Sequence, residues 1–528
     1  MAFSESPLNE NLLFVGTDDG LIQITENGGE SWAEMGSFPA VPERTYVNML
    51  LASQHDENVV YAAFNHHKYG DFSPYLYKST DKGKSWQSIS ANMSERGSVY
   101  SIAEDHQDPS LLFAGTEFGV FFSNKGGSEW KQIKAGLPTI AVRDMAIHPR
   151  EDDLVLGTFG RGFYVLDDYS ALRNITAPTL DKEAELFAVR DPWLYEAAYP
   201  LGLPGKGFQG DSYYQGENLP SVAMFTFYLK DEIKSLQDQR WEAEKKQIED
   251  GQGNQYPGYE QLKEETNEEK PYLLFEISDK NGRMVRKLTA PASQGLQRIH
   301  WDLRYASVNP ISLQSSSFYN PFAGKDEGTL VEPGEYQVSL SKSVNGELTP
   351  LAGPVSFVVK ALDQHSLPAD DRAAKVAFQR KVNDLYRKVQ ASQKMLGEVE
   401  SQLKHMEEAA KRTNLPQAEF SAEIRSLKDQ LTEIGYQLNA DPIAAKLDMD
   451  KVPTVGSRIG LLVYEQFYST SAPTGTHQRT FAIAEEEFSP ILTRIKDLVT
   501  KDLVAMQQKL AEAGAPYTPY AVPMILEN

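Results

Sequence analysis

Short runs of β-branched and aromatic residues recur through the first 172 positions of the chain. In each copy, one run is followed by a tight turn and a second run, and three copies continue into a polar string that ends in tryptophan. A further apolar run, such as YVNMLLAS at 46–53, precedes the later copies. Four short strands joined by tight turns, repeated about every 45 residues, are typical of β-propeller blades. The recurring first runs are NLLFVGT at 11–17, NVVYAAF at 58–64, SLLFAGT at 110–116 and DLVLGTF at 153–159.

The polar strings predict turns between the third and fourth strands of a blade. Their short side chains can hydrogen-bond nearby amides, their glycines accept positive φ, and we expect each tryptophan to pack against the sheet. They resemble the Asp-box of sialidases and sortilin-like propellers, in which these residues are structural. The matching residues are Thr25, Asn27, Gly29 and Trp32, then Ser79, Asp81, Gly83 and Trp86, and finally Ser123, Gly127 and Trp130, with Lys125 at the acidic position.

We expect an incomplete ring of blades in residues 1–172. The first blade has only FSESPLN ahead of its second strand, so we expect it to lack most of its inner strand. The fourth ends at GRGFYVLDDYSAL (160–172), with no run for an outer strand. Open blades leave strand edges and apolar faces in water. The expected partner is therefore an N-terminal propeller portion, or another chain, that completes the propeller.

Residues 173–365 predict an Ig-like β-sandwich. Alternating runs such as SVAMFTFYLK (221–230) and PYLLFEISDKNGRMVRKL (271–288) have period two, and two Asn-Gly pairs mark hairpins. The charged segment 231–270 predicts a helical insertion between strands. The WDLRY and PGEYQV strings resemble an Ig-like module associated with flagellar hook-capping proteins.

Residues 366–528 predict a helical bundle followed by a Pro-rich tail. Val376, Val382, Leu385, Val389, Met395 and Leu403 recur at helical spacing in the segment 370–412. Similar stripes cover 416–438 and 485–514, and a shorter helix is predicted at 456–468. The whole chain is therefore expected to be multidomain and mainly β, with a partial propeller, a sandwich and C-terminal helices.

Composition excludes several classes of function. The chain has a net charge of −22 and no basic run, which argues against a nucleic-acid partner. It has no cysteine, which excludes disulfides, thiolate metal sites and cysteine nucleophiles. No apolar run is long enough to span a membrane, and the first residues carry no signal-peptide pattern. We expect no metal and no cofactor.

The ligand-binding face of a propeller carries the loops after the second strands and the entries to the inner strands. The loop at 64–75 is the longest of these loops and the richest in polar and aromatic residues. A metal site at its adjacent histidines is disfavoured, because neighbouring side chains on extended chain point to opposite sides. The candidate ligand-contacting residues are Arg44, His66, His67, Asp71, Glu117, Arg143, Asp144 and Arg161.

Whether the protein is an enzyme stays open at this point, and a glycoside hydrolase is the one enzyme class considered. Such an enzyme needs two carboxylates, or a tyrosine with an acid partner, around one bond. Asp18, Asp19, Asp71, Glu117 and Asp144 are available, but no spacing selects a pair. Arg44, Arg143 and Arg161 could imitate the arginines that hold a sialidase substrate's carboxylate.

The succession of these strings resembles the C-terminal half of large bacterial sortilin-like (VPS10/BNR-repeat) proteins, commonly labelled glycosyl hydrolases. The strings are YAAFNHHKYGDFSPYLYKSTDKGKSWQSIS, GLPTIAVRDMAIHPREDDLVLGTFGRGFYVLDD and the WDLRY/PGEY pair. The resemblance implies an exported protein, periplasmic, cell-surface or extracellular. It favours a binding or scaffold module for a peptide or glycan. The alternatives are a glycoside hydrolase whose site is shared with missing N-terminal blades, and an accessory subunit of a cell-envelope complex docked through its helices.

Overall fold

The chain is a multidomain, mainly β protein with helices concentrated toward its C-terminus. Its computed structural model describes residues 1–35, 38–134, 136–195, 210, 220–253, 256–313, 326–362, 371–449, 452–467, 469–519 and 521. Two compact units are present: Met1–Arg190 with Thr226–Glu268 and Ala292–Arg298, and Asp191–Phe225 with Glu269–Pro291 and Ile299–Asn528.

The first unit begins with four antiparallel sheets whose strands are paired in chain order. The strands are β1 Ala2–Ser6, β2 Asn9–Gly16, β3 Ile22–Thr25 and β4 Ala33–Met35; β5 Tyr46–Ala52, β6 Val60–Asn65, β7 Tyr75–Ser79 and β8 Gln87–Ser88; β9 Val99–Glu104, β10 Leu112–Thr116, β11 Gly119–Ser123 and β12 Lys131–Ile133; and β13 Val142–His148, β14 Asp153–Thr158 and β15 Phe163–Leu166. We call these sheets blades 1 to 4.

Blade 1 corrects one expectation from the sequence. The stretch AFSES forms β1, which pairs with β2 from Ala2↔Gly16 to Ser6↔Asn9, so the inner strand is present. Leu12 and Phe14 of β2 are fully buried beneath this pairing. Blade 4 has three strands within the described residues, as its sequence predicts.

Each pair of neighbouring blades shares an apolar core. Phe14 and Ile24 of blade 1 pack in one cluster with Val47 and Phe64 of blade 2. Two further clusters of the same kind join blade 2 to blade 3 and blade 3 to blade 4. Alternation along each strand places one set of side chains on each face, so an inner blade is buried on both faces.

The polar strings form the turns that join third to fourth strands. In the second copy, the Ser79 hydroxyl accepts a hydrogen bond from the Gly83 amide at 2.8 Å and donates to Asp81 Oδ1 at 2.8 Å. Asp81 also accepts from the Ser85 amide at 2.8 Å and the Ser85 hydroxyl at 2.6 Å. These bonds lower the pKa of Asp81 to about 2, the bond from the Ser85 hydroxyl being the largest cause.

The glycines of these turns face the preceding blade. A Cβ on Gly83 would lie 2.5 Å from Ile24 Cδ1 of blade 1, and one on Gly127 would lie 2.8 Å from Ile89 Cβ, beside blade 2. The same arrangement buries Trp86 and Trp130, whose exposed fractions are 7% and 3%.

Trp32 departs from the expectation that each tryptophan packs against a sheet. Its exposed fraction is 42%, although the Gly29 and Ser31 amides donate hydrogen bonds equivalent to those in the second copy. Trp86 is buried in the core that blades 1 and 2 share, and the Trp130 indole donates to the carbonyl of Ile89 at 2.6 Å. Trp32 belongs to blade 1, which follows no other blade among the described residues.

Beyond the blades, two further sheets carry the apolar core predicted for a sandwich. They have strand orders β16-β18-β21 and β17-β23-β22-β19-β20. Phe225, Phe275, Phe357, Trp301 and Tyr336 form contacts between their rings in the second unit. The strands are β16 Ala184–Leu186, β17 Trp193–Leu194, β18 Ala223–Leu229, β19 Tyr272–Asp279, β20 Met284–Pro291, β21 Gly295–Trp301, β22 Gly334–Val344 and β23 Glu347–Ala361.

The Asn-Gly hairpins are confirmed where β22 meets β23. Asn345 and Gly346 both have positive φ, 51° and 77°, as a tight hairpin turn requires. The charged segment between β18 and β19 contains helices α2 Leu236–Glu249 and α3 Tyr259–Asn267, and Arg240 of α2 donates to Glu265 of α3 at 2.7 Å. A short α1 spans Ala177–Asp181.

The longer C-terminal helices form one apolar core, to which the short helix Pro442–Lys446 contributes no buried residue. The C-terminal helices are α4 Arg372–Ala410, α5 Gln417–Leu438, α6 Pro442–Lys446, α7 Val455–Phe467, α8 Gly475–Asp497 and α9 Leu503–Glu512, with a π-helical turn at Leu498–Asp502. Five of the six predicted α4 positions are buried, but Met395 is exposed and Leu396 lies in the core instead, because the buried stripe Val382, Val389, Leu396 and Leu403 repeats every seven residues.

Two further points concern the helices and the predicted limits of the C-terminal domain. Within the described residues, no helix combines the length and the apolar character needed to cross a membrane. The boundary predicted at residues 365/366 and the end of the Pro-rich tail lie outside those residues.

Candidate functional site

The candidate site lies at the edge of the blades where inner strands begin. Antiparallel pairing sets Val99 opposite Thr116 and Val142 opposite Thr158, so the loops after β10 and β14 emerge beside the starts of β9 and β13. Tyr46 pairs with Asn65 in the same way in blade 2. We call this edge the loop face. The Asp-box turns follow the ends of the third strands and therefore lie at the opposite edge.

A β-bulge occurs at the same place in three successive inner strands. The pairing register skips one residue after Val47, after Val99 and after Val142. The extra residues are Asn48, Tyr100 and Arg143. A bulged residue has no partner across the ladder, so the bulge re-aims its side chain, and such bulges are frequent beside active sites.

The three bulged residues contact one another across the blades. Asn48 donates a hydrogen bond from its amide side chain to the carbonyl of Tyr100. The Arg143 guanidinium lies 3.7 Å from the centre of the Tyr100 ring and 5.2 Å from that of Phe159. The Tyr100 hydroxyl donates to Glu117, whose carboxylate is 4.0 Å from Arg143. Burial, followed by the bond to Glu117, raises the pKa of Tyr100 to about 12.

A pocket of about 260 Å³ opens on the loop face near blades 1 and 2. The ring of His66 stacks on that of Tyr69 with centroids 4.5 Å apart. His66 Nδ1 lies 3.0 Å from the hydroxyl of the buried Thr45. The pocket is lined by Asp18, Asp19, Arg44, Tyr46, Asn65, His66, Lys68 and Tyr69.

The loop after β6 is held by its own hydrogen bonds. Asp71 accepts from the Tyr75 hydroxyl at 2.7 Å and from the Ser73 amide at 2.9 Å. Burial opposes ionisation of Asp71, but these bonds outweigh it and lower its pKa. The same contact helps to raise the pKa of Tyr75 to about 12, with burial the larger cause. The backbone amide and the ring Nδ1 of His67 both contact the side-chain oxygen of Asn65.

The structure brings together some of the eight candidates and separates others. Arg44 and His66 line the same pocket, while Glu117 and Arg143 meet across blades 3 and 4. Asp144 is exposed and accepts a hydrogen bond from the following amide, and Arg161 is exposed at the tip of the loop after β14. The ligand role of all eight stays a prediction.

Sequence reasoning missed Asn48 and Tyr100. A signal was present: the strings V-N-M-L at 47–50, V-Y-S-I at 99–102 and V-R-D-M at 142–145 align at the bulge. In each string an apolar residue is followed by two residues of varied type before the apolar pattern resumes. Period-two alternation alone hides this interruption, because one inserted residue resembles noise.

One cluster has the composition of a metal site but the geometry of an ion-pair network. Ligand atoms of Asp105, His106 and Asp152 lie within 4.8 Å of one another. Arg173 donates to both oxygens of Asp105, at 2.8 and 2.7 Å, and also to Asp152 at 3.2 Å. The Tyr169 hydroxyl donates to Asp105 at 2.7 Å. Because a guanidinium occupies the position between the carboxylates, we assign this cluster a structural role.

No protein-family model matches the chain, and no curated protein matches it. Solved structures are similar at low identity. A GH74 xyloglucanase from Xanthomonas campestris is 13% identical, over 32% of this chain and 29% of that chain, with a TM-score of 0.26. YCF48 bound to D1 peptide is 14% identical, over 32% and 51%, with a TM-score of 0.26.

An extracellular domain of a protein assigned to one-component systems, from B. thetaiotaomicron, is 13% identical over 68% of this chain and 36% of that chain, with a TM-score of 0.25. The chain thus spans about half or less of the length of each of these proteins. At these identities and TM-scores, none of the three carries an argument about activity.

Proposed function

We propose that the protein is an exported, sortilin-like propeller protein that binds an extracellular glycan or peptide on its loop face. One observation carries the proposal: three successive inner strands each have a bulge that brings Asn48, Tyr100 and Arg143 together at that face. A bulge costs ladder hydrogen bonds, so its repetition at one position argues for a role of the side chains it redirects.

Exposed aromatic rings on the same face support binding. Tyr69, Phe72, Phe118 and Phe159 belong to its loops and are exposed, Phe159 to 69%. Large apolar side chains clustered on a surface are typical of interaction sites. Flat rings also offer the surface on which sugar rings or peptide side chains stack.

The test is binding to glycan and peptide arrays with a matched pair of variants. Phe159→Ser removes an exposed ring from the loop face, and Trp241→Ser removes one, 53% exposed, from helix α2. Neither side chain belongs to a core, so both variants should fold. We expect Phe159→Ser to weaken array binding at least fivefold and Trp241→Ser to leave it unchanged. Binding that falls equally in both variants, or in neither, would contradict the proposal.

We also propose that further propeller blades cover two faces, one on blade 1 and one on blade 4, that pack against no other blade among the described residues. An N-terminal propeller portion or another chain would supply these blades. Phe163 and Val165 of β15 are exposed to 80% and 52%. The pairing register makes Phe163 equivalent to three residues of the preceding blades that are buried against the next blade, namely Ile22, Leu76 and Val120. The repeat therefore supports a blade-like sheet on this face.

The second of these faces belongs to blade 1, and a separate observation supports a further blade packed against it. Trp86 and Trp130 are buried beside the preceding blade, whereas Trp32 is exposed. Phe3 of β1 is exposed on the same blade. A blade ahead of β1 would bury Trp32 by the contact that the other two copies already make.

A glycoside hydrolase is the second candidate, and the Tyr100–Glu117 hydrogen bond is the observation that favours it. A tyrosine paired with an acid can serve in place of two carboxylates. A pKa of about 12 keeps the phenol protonated at neutral pH, so Glu117 would have to take its proton. Release of reducing sugar that Tyr100→Phe abolishes would support this candidate. Array binding without any turnover would exclude the hydrolase and support only the binding function.

A further inference from the structure

Several basic side chains of the loop face have no hydrogen-bond or ion-pair partner in the part of the chain that the structure describes. Within the described residues, Arg44, Lys68, Arg96 and Arg161 make no side-chain hydrogen bond and no ion pair. The single ionic contact of Arg143 is with Glu117, at 4.0 Å. Elsewhere, cations such as Arg173 and Arg240 each engage two carboxylates. Exposed lysines elsewhere, such as Lys84 and Lys245, also lack an ion pair among the described residues, so the loop face differs in having several unpaired cations on one face.

Aromatic rings rather than acids hold several of these cations. Lys68 lies 6.0 Å from the centre of the Tyr46 ring, and Arg96 lies 5.4 Å from that of Phe72. Arg143 makes the two ring contacts described above. A ring fixes the position of a cation but uses none of its N–H donors, so those donors stay free for a ligand.

Three acids of the loop face already accept hydrogen bonds from neighbouring residues. The carboxylate of Asp71 accepts from Tyr75 and Ser73, that of Glu117 accepts from Tyr100, and that of Asp19 accepts from Thr17. Their acceptor capacity is thus partly used by neighbouring donors. Asp18 and Asp144 are exposed on the same face and, among the described residues, accept no hydrogen bond from a side chain, so the face offers unpaired cations beside free acceptors.

We infer that the loop face binds an anionic glycan, one whose sugars carry carboxylate or sulfate groups. This inference rests on the proposed binding function and narrows its ligand. Guanidinium groups bind carboxylate and sulfate oxygens in pairs, and rings such as Phe159 and Tyr69 offer stacking surfaces to the sugars between the charges. The cations come from blades 2, 3 and 4. A ligand with several anionic groups along its length could therefore contact more than one of them.

The architecture of the face favours a glycan over an acidic peptide. An extended peptide gains most of its affinity by pairing its main chain with an open strand edge. Strand ends and loops form this face, and the inner and second strands that lead to it are paired with each other. The side chains alone are therefore available, which suits a ligand recognised by its charges and ring faces.

The test measures binding of the whole chain to four probes by calorimetry or surface plasmon resonance. They are an oligogalacturonate, a neutral galacto-oligosaccharide of equal length, a sulfated dextran oligosaccharide and a polyglutamate peptide. We expect the oligogalacturonate or the sulfated probe to bind at least tenfold more tightly than the neutral one, with affinity falling as salt is added. The two charged arms distinguish carboxylate from sulfate as the natural group.

Matched variants assign the binding to the loop face. Lys68→Gln and Arg96→Gln each remove one unpaired charge there, while Lys84→Gln removes one exposed charge from the Asp-box turn at the opposite edge. We expect each loop-face variant to weaken binding about fivefold and Lys84→Gln to change it less than twofold. Equal loss in all three variants would overturn the inference, because it would reflect net charge alone.

The remaining outcomes separate this inference from the proposed function. Tighter binding of the neutral oligosaccharide, weakened by Phe159→Ser, would overturn the anionic ligand and leave the binding module intact. Tighter binding of polyglutamate would overturn the glycan. If none of the four probes binds and array binding is the same for the parent and Phe159→Ser, both the anionic ligand and the proposed binding function would be overturned.

Discussion

Replacing Asp81 with alanine tests the structural assignment of the Asp-box turns. The carboxylate of Asp81 accepts three hydrogen bonds, from the Ser85 amide, the Ser85 hydroxyl and the Ser79 hydroxyl. Alanine removes all three, while the bond between the Ser79 hydroxyl and the Gly83 amide can remain. The turn lies at the edge opposite the loop face, so we expect ligand binding at that face to be unchanged.

The expected cost follows from where the bonds lie. A net hydrogen bond contributes about 0.5–1.5 kcal/mol, and water replaces part of that at an exposed turn such as this one. Loss of a comparable cap at a helix N-terminus costs about 0.5–2 kcal/mol. We therefore expect Asp81→Ala to lower the free energy of unfolding by about 1–2 kcal/mol. For a cooperative unit of this size, that corresponds to a decrease in Tm of roughly 2–8 °C.

The pH dependence of thermal stability tests the role of Asp81 in a second way. The folded pKa of Asp81 is about 2, below its ordinary value of 3.8. A depressed pKa means that the carboxylate stabilises the fold fully above pH 4 and loses this effect as the pH falls toward 2. The difference in Tm between parent and Asp81→Ala should therefore shrink over that range.

The other copies of the turn supply a control. Asn27 keeps the bond from the Ser31 amide at 3.0 Å, so Asp81→Asn should cost less than Asp81→Ala and should show little pH dependence. The assay is thermal unfolding followed by circular dichroism, with array binding measured in parallel. Asp81→Ala that unfolds no earlier than the parent, yet loses binding, would refute the structural assignment.

Three further predictions follow from contacts already described. Gly83→Ala should lower the free energy of unfolding by more than about 1 kcal/mol in urea titrations, because φ is +82° and the new Cβ would lie 2.5 Å from Ile24 Cδ1; an unchanged midpoint would contradict this. Arg173→Gln should lower the free energy of unfolding by about 3–5 kcal/mol in the same assay, because Asp105 would stay buried without its cation. This loss should diminish as the pH falls toward the Asp105 pKa of about 2. A loss below about 1 kcal/mol would contradict the prediction. Phe163→Ser should reduce self-association of the isolated chain in light scattering, whereas a parent that is already a well-behaved monomer would argue against the proposed covering blades.

Much of the fold could be predicted because its signals are local. Alternation located the strands of the blades, and the Asn345–Gly346 pair located a hairpin, since only a few residue types accept two positive φ values in succession. The long helix α4 was predicted within two residues at each end. Its interior was less accurate at one position, because Leu396 continues the seven-residue repeat of buried positions and the adjacent apolar Met395 does not.

The rest depended on information that lies far away in the chain. Whether an Asp-box tryptophan is buried depends on the preceding blade, so Trp32 and Trp86 have similar local sequences and different exposures. The contact between Tyr100 and Arg143 depends on two bulges in different blades. The candidate residues Glu117 and Arg143 were found from their loops, but the tyrosine between them was not, because it lies in an apparently ordinary strand.

The bulges give this protein a way to vary its chemistry without altering its architecture. Residues 48, 100 and 143 have no partner across the ladder, so the alternation that fills the cores on either side continues past them. An amide, a phenol and a guanidinium already occupy these equivalent positions. Blades 2, 3 and 4 thus each contribute one residue at an equivalent position, so substitutions at these three positions can change selectivity while the pairing of the strands is retained.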